Sequence, residues 1–170
     1  MTGNSDVKAG LSECLARLWR YGLVLSKSRD VAEDLVQATC VRALEKADQR
    51  ISSTRLDRWL LLLLRSIWVK ELCILCTHDG MVTWKPSDVG RVAGAEIEPG
   101  IYAEEVLKAV FDLPEALREI VLLVYVEGMS YGEVGDFLEE PPSAIMRRLA
   151  DARLALSRLK MGGVLHTRRQ

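Results

Sequence analysis

From Leu11 to Cys76, and again from Ile101 to Leu159, apolar side chains recur every three or four residues, and no alternating apolar–polar run of useful length appears anywhere. That period is one face of an α-helix, so the chain is expected to be all-α. The pattern breaks once at length. Residues 77–100, THDGMVTWKPSDVGRVAGAEIEPG, carry four glycines and two prolines and no sustained period, which is the composition of a flexible linker. Two small helical bundles on either side of it follow. With 49% of its 170 residues apolar, the chain has material for both cores.

Local punctuation sets the helices. Leu11, Leu15, Leu18 and Gly22 to Leu25 mark the apolar face of a first helix, which SKSRD interrupts. Asp30 followed by Glu33 predicts a capping box opening a second helix over about Val31 to Lys46. After ADQRISST, a third helix is expected from about Arg55 to Cys76, burying Trp59, Leu62, Leu63, Ile67 and Leu72. In the second half, Pro114 suits a first helical turn and Gly128 the position past a helix end. Ser130 and Glu133 predict a second capping box, opening a short helix that ends near Leu138. Pro141 and Pro142 forbid its continuation and reset the chain for a last helix over about Ser143 to Leu159.

Several function classes drop out. The first residues, MTGNSDVKAGLSE, lack a basic start followed by an apolar core, so the expected location is the cytoplasm. WLLLLL, residues 59–64, is far short of the roughly 20 apolar residues that cross a bilayer. Four cysteines at irregular spacing do not make a secreted disulfide framework. Cys73, Cys76 and His78 form C-x-x-C-x-H and offer three zinc ligands, but a fourth is not evident and Ile74 and Leu75 continue an apolar helix. No metal, cofactor or catalytic constellation is expected.

The formal net charge is only −1, so any nucleic-acid surface must be a local patch. Such a patch is visible. From Glu104 to Glu140 ten acids face two bases, Lys108 and Arg118, whereas Pro141 to Lys160 carries Arg147, Arg148, Arg153, Arg158 and Lys160 against Asp151 alone. A basic helix behind a tight turn, supported by acidic helices, suits a helix-turn-helix that meets phosphates on one side only.

Two blocks then resemble the extracytoplasmic-function group of bacterial RNA polymerase sigma factors. RDVAEDLVQATCVRALEKA with RLDRWLLLLLRSIWVKEL resembles their amino-terminal helical domain. LPEALREIVLLVYVEGMSYGEVGDFLEEPPSAIMRRLADARLAL resembles their carboxy-terminal helix-turn-helix domain. The resemblance implies a region 2-like domain over 7–76, a linker over 77–103, a region 4-like domain over 104–160 and a basic tail over 161–170. It also implies a division of labour. The first domain grips core RNA polymerase and captures an unpaired base of the −10 element, and the second reads the −35 element of promoter DNA. An anti-sigma factor is the further partner implied.

Carried over by matching position, Asp34, Gln37 and Arg42 fall on the polymerase-binding helix. Arg65, Ser66 and Lys70 fall on the −10 surface, and Ala144, Met146, Arg147, Arg148 and Arg153 on the −35 surface. The chain also departs from the pattern. Ala38 stands where a second acid is usual, and RSIWVKELCILC replaces a polar, arginine-rich stretch with an apolar one. Glu139 stands where glycine is usual, so it must take a left-handed conformation or reshape the turn. Besides a promoter-directing sigma factor, these departures fit a sigma-like decoy that sequesters an anti-sigma factor or another regulator without reading promoters. A polymerase-independent helix-turn-helix regulator fits less well, because it has no need of the first block.

Overall fold

The computed structural model describes residues 2–50, 55–72 and 108–166, and every regular element among them is helical. The chain divides into two compact units, Met1–Gly94 and Ala95–Gln170. The predicted linker 77–103 with Trp84, and the cluster Cys73, Cys76 and His78, lie outside the described residues.

The first unit holds α1 (Thr2–Ser26), α2 (Arg29–Glu45) and α3 (Leu56–Ile67), which pack pairwise on one another. Gly22 lets α1 and α2 approach closely, for a Cβ there would lie 3.2 Å from the Ala32 Cα. Lys27, at φ 59°, turns the chain between the two helices in the left-handed region. Ser28 caps α2 by accepting a hydrogen bond from the Val31 N–H at 3.3 Å. The cap is therefore Ser28 rather than the expected Asp30–Glu33 box, and the helix opens two residues earlier. The buried Thr39 hydroxyl is satisfied by donating to the Leu35 carbonyl at 2.6 Å.

The core of this unit corrects the expected face of α3. Leu60, Leu61, Leu64, Ile67 and Trp68 are buried, whereas Leu62 is 41% exposed and Trp59 and Leu63 are half-buried. Leu15 on α1 is likewise on the surface, 42% exposed. In a run of five leucines no polar position marks the register, so packing chooses it. Past Ile67 the helix loosens into a π-helical turn, Trp68–Leu72.

Asp57, in the first turn of α3, ties that helix to α1. Its carboxylate meets Arg17, receives Arg55 Nη2 at 2.8 Å, and accepts the Arg58 N–H at 2.9 Å. Burial pushes this carboxyl up, but the hydrogen bonds from the Arg55 side chain, the Arg58 N–H and the Arg17 side chain, with the charge of Arg55, outweigh burial and hold it below its ordinary value.

In the second unit, residues 108–112 are helical and precede α4 (Glu115–Val121), for which Pro114 serves as the cap and not as the first turn. The helix passes into a π-helical segment, Leu122–Val126, and the chain then reverses at Gly128, φ 65°. Arg118 is buried and donates to the Leu113 carbonyl at 2.6 Å, and burial lowers its pKa. Then come α5 (Tyr131–Leu138) and α6 (Pro142–His166), the last helix running on past the expected Leu159. Both α4 and α5 pack on α6, where Ile145, Leu149 and Ala152 form its buried stripe.

Leu64→Ala should cost about 2–5 kcal/mol, and Leu62→Ala should stay within about 0.5 kcal/mol. Urea unfolding followed by tryptophan fluorescence checks this, because Trp19, Trp59 and Trp68 all lie in the first unit. A second test concerns pH. Since the folded Asp57 carboxyl lies below the unfolded value of about 3.9, its stabilisation is complete above that value and is lost as pH falls through the folded pKa. The stability gap between the wild type and Asp57→Asn should be widest near neutrality and close as the medium is acidified below about pH 4.

Candidate functional site

On α2, Asp34 and Gln37 are exposed, and they form one stripe with Val41 and Leu44, one and two turns further along. Val41 is 57% exposed, a large apolar side chain left in water at the centre of the polar face. Arg42 stands to one side of that stripe and is half-buried. Val41 and Leu44 were not among the expected residues, although their spacing from Asp34 and Gln37 is the signal that finds them.

The −10 candidates are less concentrated. Lys70 is exposed in the π-helical turn beside the exposed Val69, whereas Arg65 and Ser66 are half-buried. The Ser66 hydroxyl donates to the Leu63 carbonyl at 2.7 Å, a bond within its own helix.

The second unit shows a complete helix-turn-helix. The Ser130–Glu133 capping box is present: the Glu133 N–H donates to Ser130 Oγ at 3.3 Å, and the Ser130 N–H donates to Glu133 Oε2 at 2.8 Å. Glu139 ends α5 at φ 59°, ψ 40°, so the chain takes the left-handed conformation rather than a reshaped turn. The Glu140 N–H closes this turn on the Gly135 carbonyl at 2.9 Å. A Cβ at Gly135 would lie 2.6 Å from the Glu140 carbonyl oxygen, so no side chain fits there.

The turn acids act on the recognition helix directly. Glu140 Oε1 pairs with Arg148 Nη2 at 2.8 Å, which turns that arginine toward the turn and cancels much of its charge. Ala144 is half-buried, and Arg147 points to solvent. Met146 is 56% exposed, and Leu154, two turns further along the helix, is exposed as well. Arg153 is exposed and is held by α4's π-helical extension, donating from Nε to the Tyr125 hydroxyl at 2.8 Å with its guanidinium 5.8 Å from the ring centroid. The outward side of α6 thus brings together Met146, Arg147 and Arg153. Tyr125 and Leu154 are the members that sequence reasoning missed.

Comparison with known proteins agrees with this geometry. The family described as Sigma-70, region 4 matches residues 103–156, the span that contains the helix-turn-helix. The ECF RNA polymerase sigma factor EcfG of Rhodopseudomonas palustris (strain TIE-1) is 29% identical over 143 residues, covering 82% of this chain and 76% of that protein. The chain thus carries a Sigma-70, region 4 match in its second half and is similar over most of its length to extracytoplasmic-function sigma factors. Among solved structures, the sigma factor RpoE in its co-crystal with the anti-sigma factor NepR from Bartonella quintana is similar at a TM-score of 0.70 and 26% identity, over 92% of this chain and 97% of that one. CnrH, solved in complex with the cytosolic domain of CnrY, shares the fold at a TM-score of 0.57 and 21% identity, over 94% of this chain and 88% of that one. The family is regulatory and not enzymatic. No helix among the described residues is long and apolar enough to cross a membrane.

Glu139 makes one consequence testable. An L-residue in the left-handed region costs about 1–2 kcal/mol, partly offset for glycine by its greater freedom when unfolded. Glu139→Gly should therefore stabilise the second unit by about 1 kcal/mol, read as a higher urea midpoint by far-ultraviolet circular dichroism. A destabilised variant would show that the Glu139 side chain, and not only the backbone, holds the turn.

Proposed function

We infer that this chain is a dissociable subunit of RNA polymerase that binds the core enzyme and directs it to particular promoters. The observation that carries this reading is the order of its parts: a helical unit with a polar and apolar docking stripe on α2, followed by a helix-turn-helix within the matched region 4 span. The first unit, assigned to 7–76, binds core polymerase through Asp34 and Gln37, with Arg42 at the edge, and approaches the −10 element through Arg65, Ser66 and Lys70. The second, 104–160, approaches a −35-like element of duplex DNA through Met146, Arg147 and Arg153. Residues 77–103 link the two.

Ala144 lines the same helix start, and Arg148 supports the turn through Glu140. The chain performs no catalysis of its own; bond formation belongs to the polymerase. Its place of action is the cytoplasm, where polymerase and promoters are. An anti-sigma factor is its expected regulator, since RpoE and CnrH were each solved with a protein partner, RpoE's being an anti-sigma factor. Similarity to a named sigma factor over most of the chain favours promoter-directed initiation over the decoy.

Binding of the purified chain to core RNA polymerase of the organism that encodes it tests the reading. Tight association is expected, weakened at least about tenfold by Asp34→Arg, a charge reversal worth about 1.4 kcal/mol or more at a docking surface. Circular dichroism must show the variant folded. A folded wild-type chain that does not associate would overturn the polymerase subunit and leave the decoy.

A further inference from the structure

Four arginines of this protein are held in two different ways. Arg17 and Arg55 meet the carboxylate of Asp57, and Arg148 meets that of Glu140, so each is fixed in place at the expense of its charge. Arg153 is fixed by a neutral group instead. The Tyr125 hydroxyl accepts from Nε and the Tyr125 ring lies under the guanidinium. No acid pairs with Arg153 among the described residues, and the side chain is exposed.

A hydrogen bond at Nε leaves the two-pronged Nη end of a guanidinium available, and that end is the part that matches a phosphate fork to fork. A tyrosine therefore orients the fork without neutralising it. The Tyr125 hydroxyl also raises the pKa of Arg153, and Tyr131, in the first turn of α5, acts in the same direction. The fold thus sets a phenol from α4's extension against one cation on the outward side of α6.

We propose that Tyr125 is a positioning residue that presents Arg153 as a sequence-independent grip on a DNA backbone phosphate. The grip rests on the helix-turn-helix reading given under the proposed function. It adds a contact that supplies affinity and orientation and no base preference. Because the grip ignores sequence, a duplex of mixed sequence is a sufficient probe and no promoter is needed.

The experiment uses the full chain and a short fluorescent duplex of mixed sequence, with anisotropy titrations over a series of salt concentrations starting low. Tyr125→Glu is the deciding variant. A carboxylate accepts the same Nε–H, so a tie that is merely structural survives or strengthens, while the charge of Arg153 is cancelled. The grip predicts an unchanged melting curve, binding at least about tenfold weaker at low salt, and a salt slope smaller by about 0.9, the loss of one phosphate contact.

Tyr125→Phe keeps the ring and loses the hydroxyl, and should weaken binding about threefold. Arg153→Gln, which needs no anchor, should reproduce the slope change even if Tyr125→Glu fails to fold. Wild-type affinity and slope in folded Tyr125→Glu, or in Arg153→Gln, would overturn the grip while leaving duplex binding intact. A wild-type chain that binds no duplex at low salt would overturn both the grip and the DNA reading on which it rests.

Discussion

A helix of eight residues is not stable alone in water, so α5 exists only because its apolar side is covered. Val134, Phe137 and Leu138 are buried on α5, Ile145, Leu149 and Ala152 are buried on α6, and the two helices pack on each other. That covered seam fixes which side of α6 is left outward, and therefore which of its arginines face solvent. The turn between the helices has to bring both stripes into register, and it does so at a cost. Glu139 takes a left-handed conformation and Gly135 gives up any side chain to make room for the Glu140 carbonyl.

Charge is spent differently at the two ends of the molecule's surface chemistry. Where stability is needed, an acid pairs with the arginine: Asp57 joins α1 to α3, and Glu140 joins the turn to Arg148. Partly exposed pairs of this kind contribute at most about 1 kcal/mol each. Arg147 by contrast is left outward, and Arg153 is oriented by a phenol. Of the two turn acids, Glu140 is occupied by Arg148 and faces the chain's own cation, which is compatible with the DNA binding proposed for α6.

Features that depend on residues close in sequence were legible. The Ser130–Glu133 capping box, the reversal at Gly128 and the break at Pro141–Pro142 each follow from groups within a few residues of one another. The cap of α2 was misread as Asp30 because Ser28, two residues earlier, reaches the Val31 N–H first. The inward face of α3 was misread for a different reason. WLLLLL carries no polar position, so every rotation of the helix buries leucines, and only the partners α1 and α2 choose Leu60, Leu61 and Leu64 over Leu62.

The sequence by itself determined the helical class, the two-bundle organisation, the helix-turn-helix and the basic character of its second helix. All of these rest on period, punctuation and local charge, which are properties of neighbouring residues. Tertiary structure decided what each cation is for. Arg148 and Arg153 are both exposed-face arginines in the sequence, five positions apart on one helix. One meets the carboxylate eight residues before it, and the other the phenol 28 residues before it. Whether an arginine's charge is cancelled or kept depends on the group that folding places against it.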